Sequence, residues 1–188
     1  MTSISNKLKI GKKERLVILD IVCIPNKILR KRSKEVNLSI LKRPDFIDFI
    51  WALGNTMFYY DGLGLSAIQV GLDIRLFIVR SDANSKDIED DKYQKKRMES
   101  IDDIEVFINP EILEYSEDFN EDWEGCLSIP GVLALIKRSN RIKIKFFNLK
   151  GQEIIKDFEG FKARIIQHEY DHINGVLILD KAMKIEKD

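Results

Sequence analysis

The chain has 188 residues, 44% of them apolar and 9% aromatic, with 31 basic and 31 acidic side chains. That apolar share excludes a chain too polar to pack, and the length suits one domain over residues 1–188. Zero net charge excludes a global field that draws nucleic acid or anionic membrane, and no apolar run approaches the roughly 20 residues that span a bilayer.

Residues 1–15 carry lysines but no signal-like apolar segment, and are expected to form a flexible extension. Cytoplasm is the expected compartment, an organelle address the lesser alternative. Two cysteines, Cys23 and Cys126, are too few for a disulfide framework. Leu16 to Ile24 is apolar and predicts an extended lead-in, in which Cys23 fits the role of a small buried hydrophobe. Pro44 then opens a helix that ends at Asp61-Gly62. Its Phe46, Ile50, Leu53, Met57 and Tyr60 fall at three- and four-residue intervals on one stripe.

GLGLSAIQVG, residues 62–71, is glycine-rich and then apolar, and residues 74–80 predict a buried strand. The polar stretch 81–103 predicts a solvated insertion loop with no chemistry, KKRMES within it forming a solvated face. Glu105 to Ile108 predicts a short strand stopped by Asn109-Pro110. RIKIKFF alternates Ile142, Ile144 and Phe146 with Lys143 and Lys145, and the turn at 148–151 returns it as a hairpin. A last helix runs from about Gly160 to Ile173, capped by Asn174-Gly175. These elements predict an α+β fold, with mostly antiparallel sheets packed around the C-terminal helix and the N-terminal helix on the outside.

Both histidines of the chain stand four residues apart in QHEYDHINGVL. On a 3.6-residue helix His168 and His172 share a stripe with Phe161 and Ile165, and Glu169 sits beside it. Two imidazoles at this spacing converge on one cation, and the intervening glutamate reaches a water beside it. Histidines scattered at random would fall four apart in about one placement in a hundred, so accident is a weak rival. A catalytic ion takes a third protein ligand. No histidine follows His172, and the one later glutamate, Glu186, stands at the frayed end of the chain. The third ligand is therefore expected upstream, with Cys126 in EGCLSIPG the candidate.

With QHEYDHINGVL, EGCLSIPG and GLGLSAIQVG in this order, the sequence resembles the peptide deformylases from about Leu19 to Lys181. The resemblance implies hydrolytic removal of the N-formyl group from the initiator methionine of new polypeptides, releasing formate. It implies one divalent ion on Cys126, His168 and His172, with Fe²⁺ native and Zn²⁺, Ni²⁺ or Co²⁺ as other occupants. It implies Glu169 as general base and acid, and Gln69 with the backbone N–H of Leu127 as donors to the oxyanion. Gly64 would let the substrate backbone approach. Leu63, Glu124, Gly125, Phe161 and Ile165 would lie near the methionine side chain. The implied partners are N-formylmethionyl nascent peptides, with the ribosome near its exit tunnel a further candidate.

Ser66 and Ile68 depart from the family's commoner residues, residues 81–103 are longer than in compact members, and residues 1–15 precede the usual start. Asp171 is a candidate partner for a ligand histidine or a surface group. Arg138 and Arg141 either meet substrate backbone or support a strand, with support favoured. Two rival readings remain: a general metallopeptidase, which needs a downstream ligand, and a structural metal module, which needs a fourth.

Overall fold

The computed structural model describes residues 16–83 and 97–187; the extension at 1–15 and the middle of the polar stretch, 84–96, lie outside them. The apolar stripe forms α1 (Pro44–Tyr59), proline in its first turn, with Phe46, Ile50, Leu53 and Met57 fully buried. Tyr60, expected on that stripe, is 42% exposed. It caps the helix, and Asp61 turns the chain aside at φ 53.

Strand β1 (Gly64–Ser66) starts a five-stranded antiparallel sheet whose order is β1-β2-β3-β6-β7, where β2 is Leu76–Arg80, β3 Ile104–Tyr115, β6 Arg141–Phe147 and β7 Glu153–Glu159. The second sheet, in the order β4-β5-β8, contains β4 (Phe119–Glu124), β5 (Val132–Ser139) and β8 (Lys184–Lys187). Every named strand pair is antiparallel, as the alternation in RIKIKFF implies.

Asn109-Pro110 does not stop its strand. β3 runs through it with a register shift between Ile108 and Glu111, which takes proline out of the regular ladder. Asn109 accepts a positive φ of 48 there. Its side chain accepts from Val36 N at 2.7 Å and donates to Val36 O at 2.9 Å, joining a preceding segment to the bulge.

The ends of the polar stretch are also not wholly solvated. Ala83 is fully buried, and Met98 is 5% exposed in the core under α1, so Met98 alone departs from the expected solvated face of KKRMES, where Arg97 and Glu99 are exposed. Glu186 is likewise not frayed: it lies opposite Leu133 where β8 pairs with β5.

The last helix, α2 (Gly160–His172), touches strands of both sheets. Phe107, Phe146 and Phe158 on the large sheet pack with Ile165 and Ile166 of α2. The other side of that sheet meets α1 through Leu65, Leu76 and Ile78. Gly175 closes α2 at φ 75, donating to His172 O at 3.1 Å, while Val176 N donates to Asp171 O at 3.0 Å. A short helix α3 (Ile178–Lys181) then leads into β8. No helix among the described residues is long and apolar enough to cross a membrane.

Candidate active site

The helical register of α2 brings His168 and His172 to one side, their Nε2 atoms 3.2 Å apart. Cys126, on the turn that leaves β4, sets its sulfur 3.3 Å from His172 Nε2. These three are the one His/Cys/Asp/Glu group among the described residues whose donor atoms could hold a metal ion. The donor set fits a cation. Ligands about 2.0–2.3 Å from one centre stand at such separations, and two bare ring nitrogens facing each other repel unless something positive lies between them.

Glu124 fixes one ring. Its Oε2 lies 2.9 Å from His168 Nδ1, which leaves Nε2 of that ring to face Cys126 and His172. The same carboxylate accepts from Arg138 Nε at 2.6 Å, Arg138 Nη2 at 2.8 Å and Arg164 Nη1 at 2.5 Å. Burial pushes the Glu124 carboxyl up, but Arg138 and His168 outweigh it and hold it well below the usual carboxylate range. Glu124 also lines the cleft, yet its oxygens are committed to these partners, so it positions His168 where contact with the methionine side chain was expected. Asp171 pairs with Arg138 at 2.8 Å and Lys181 at 2.6 Å, not with a histidine. Arg138 is 3% exposed and supports the site, the favoured of its two readings.

Burial lowers the basicity of both rings. In His168 the Cys126 sulfur and Glu124 reverse this and push it well above the ordinary value, whereas His172, beside it, is held well below. Glu169 is 3% exposed, and burial chiefly pushes its carboxyl up to about 7. Its Oε2 has no hydrogen-bond partner. Gly64 makes room for it: a Cβ built on Gly64 would stand 2.6 Å from Glu169 Oε1 and 2.7 Å from its Cγ. That close approach is to the glutamate itself, where the sequence suggested the substrate.

Gln69 sits in a short turn after β1, its Oε1 accepting from Ser66 N at 2.9 Å and Ser66 Oγ at 2.8 Å. The amide nitrogen is therefore directed the other way, 3.3 Å from Ser128 Oγ and 3.8 Å from the Cys126 sulfur. Ser66, noted above only as a departure, is thus one of the groups that orient Gln69. The segment before α1 ties the two walls together, Val22 N donating to Gln69 O at 2.7 Å and Ile24 N to Ser128 O at 3.0 Å. This exposes Cys23 at the cleft, correcting its expected burial; its sulfur lies 3.7 Å from Leu127 O.

Leu63, Gly64, Gln69, Glu124, Gly125, Cys126, Leu127, Phe161, Ile165, His168 and Glu169 all line one cleft of about 750 Å³, with His172 beneath it. Arg164, Trp123 and Asp61 also line it and were not singled out from the sequence. Arg164 was recoverable in principle, being a charge on the apolar side of a predicted helix.

A sulfur and two imidazoles converging beside a buried carboxylate place the chain among the metal-dependent hydrolases. Comparison with known proteins narrows the class. A family model described as polypeptide deformylase matches residues 18–188. A peptide deformylase of Christiangramia forsetii is 36% identical over 174 residues, covering 91% of this chain and 85% of the relative. Peptide deformylase 1 of Clostridium perfringens is 42% identical over 161 residues, covering 82% and 91%. A class I type b peptide deformylase of Acinetobacter baumannii, in a structure with bound Met-Ala-Ser, superposes with a TM-score of 0.77 at 32% identity, covering 89% of this chain and 99% of that one. The chain belongs to the polypeptide deformylase family. Its activity is the metal-dependent hydrolytic removal of the N-formyl group from the N-terminal formylmethionine of new polypeptides, with release of formate.

Proposed function

We propose that Cys126, His168 and His172 hold one divalent ion and that Glu169 moves the protons of deformylation. The observation that carries this is the meeting, in one cleft, of three donor atoms spaced for a cation with a buried carboxylate oxygen that nothing else engages. A divalent ion held there supplies positive charge that polarises the formyl carbonyl and makes water more acidic. Glu169 Oε2 takes the proton of the water that attacks the formyl carbon, then delivers it to the departing amine nitrogen. Its raised affinity for protons suits both transfers. Gln69 Nε2 and the Leu127 N–H donate to the developing oxyanion, and Ser66 keeps the Gln69 amide from turning.

Leu63, Gly125, Phe161 and Ile165 form the wall that takes the methionine side chain, and Gly64 lies beside the path of the substrate backbone. The bound Met-Ala-Ser of the Acinetobacter baumannii structure supports a peptide ligand of this kind. The family resemblance makes Fe²⁺ the resident ion of this reading, with Zn²⁺, Ni²⁺ or Co²⁺ as alternative occupants; one thiolate with two imidazoles accepts any of them. Work in the cytoplasm, on chains leaving the ribosome, belongs to the same reading.

The test is formate release from a formyl-Met dipeptide, with anaerobic metal analysis of the same sample. The intact enzyme is expected to release formate and hold about one ion per chain. Glu169→Ala should keep the ion and lose turnover; near-normal turnover removes that residue from the chemistry.

A further inference from the structure

The side chains that α2 turns to the three-stranded sheet are polar. Arg164, Gln167, His168 and Asp171 recur at three- and four-residue spacing, and so form one row along the helix. Each is bonded to that sheet. Gln167 Nε2 donates to Ser139 O at 2.8 Å, Asp171 accepts from Arg138 at 2.8 Å, and His168 meets Glu124 at 2.9 Å. Ala163, Ile165 and Ile166 pack toward the five-stranded sheet instead, and no apolar cluster among the described residues joins α2 to β4, β5 or β8. Apolar contact tolerates sliding, whereas a hydrogen bond fixes distance and direction. The polar row therefore sets how far α2 is turned about its axis over the small sheet, and with it where the two histidines point.

Arg164 has the widest reach in this row, and it is buried. Its Nη1 donates to Glu124 Oε1 at 2.5 Å and to Ile136 O of β5 at 3.0 Å. Its Nη2 donates to Asn120 O of β4 at 2.9 Å and to the Asn120 side chain. One planar group on the helix thus grips both neighbouring strands, which a forked guanidinium permits and a lysine ammonium does not reproduce. At Glu124 it completes the set of about four acceptor positions that a carboxylate offers. Oε1 takes Arg138 Nε and Arg164 Nη1, and Oε2 takes Arg138 Nη2 and His168 Nδ1. Arg138 holds the carboxylate from within the same sheet, β5 beside β4. Arg164 holds it from the helix, one turn before His168. Cys126 follows Glu124 by two residues, so the Arg164–Glu124 pair spans the gap between the strand end that carries the sulfur and the helix that carries both rings.

We infer that Arg164 is a positioning residue for the metal site: its fork holds Glu124 against His168 and fixes the spacing between the Cys126 sulfur and the two imidazoles. This rests on the proposed ligand set. An arginine that only braced the sheet would contribute to folding without affecting how firmly the three donors keep an ion. Loss of this one loosens the donor set at both ends, at the strand and at the helix.

The experiment loads the full-length enzyme with Co²⁺ and follows its absorption bands as the ion is released to excess EDTA. Arg164→Met keeps the apolar stem and removes the fork. It should shift the bands and release the ion about tenfold faster than the parent. Lys162→Met is the comparison. Lys162 is buried on the same helix but donates toward the five-stranded sheet, to Ser81 O at 3.1 Å and to Glu105. Its loss should lower Tm yet leave the bands in place and the release rate within about twofold of the parent's. Release is measured on the folded, loaded fraction, so a general loss of folded enzyme cancels. Arg164→Lys, which keeps the charge without the fork, carries the test if the Met variant does not fold, and should release the ion about threefold faster than the parent. Parent-like bands and release in the folded Arg164 variants overturn the inference while leaving the proposed ligand set in place. A parent enzyme that holds no Co²⁺ overturns both.

Discussion

Glu169 and Gln69 are each held by a neighbour that does no chemistry. Gly64 leaves the space in which the glutamate lies, and the missing methyl group sets the position of the carboxylate. Gly64→Ala should therefore keep the fold, because the clash is with a side chain rather than backbone. It should displace Glu169 and lower kcat by about a hundredfold, checked by steady-state kinetics beside a melting curve. Gln69→Ala removes the proposed oxyanion donor and should lower kcat by about a hundredfold or more with little change in KM. An effect confined to KM would instead make Gln69 a substrate-binding group. The histidine pair was legible because i, i+4 spacing of a rare residue carries its own geometry. The task of Glu124 was not. Its partners Arg138, Arg164 and His168 lie 14, 40 and 44 residues away, and nothing local distinguishes a carboxylate that grips a ring from one that faces a ligand.

α1 and β6 were legible in the sequence because each carries one clean hydrophobic period, and α2 because its paired histidines and the closing Asn174-Gly175 mark its register and end. β4 and β5 were not. β4 reads FNEDWE, and its one buried side chain is Glu124, while β5 buries Arg138 alongside Ala134 and Ile136. An ion pair shared between two strands replaces the apolar alternation that betrays a strand, so pattern alone passes over both. The end of α2 shows the opposite case, in which the expected glycine has a second reason to be there. A Cβ on Gly175 would stand 2.6 Å from Arg30 O as well as suffer the positive φ. Gly175→Ala should cost about 3 kcal/mol, seen as a fall in Tm of about 10 °C. Kinetics of the surviving folded fraction should stay close to the parent's, since no cleft residue moves directly.

Across the whole molecule, α2 supplies two of the three donors and packs on both sheets, while the third donor leaves the end of β4. A cation at this junction joins the three-stranded sheet to the helix and adds its binding energy to folding. Removal of the metal by a chelator should lower Tm by about 10 °C, for an ion otherwise present at several hundredfold over its dissociation constant. Amide exchange should rise first around 124–130, and added metal should restore both. A Tm unmoved by chelation would mean that these donors hold their arrangement without help.

Val22 and Ile24 lend no side chain to the reaction, yet their amides stitch the Gln69 carbonyl to the Ser128 carbonyl. The spacing between the two halves of the catalytic apparatus is thus maintained by a short stretch of main chain outside all three signature motifs. A shortened protein beginning at Asn26 would retain every reactive group in its sequence and lack the seam that keeps them at working distance.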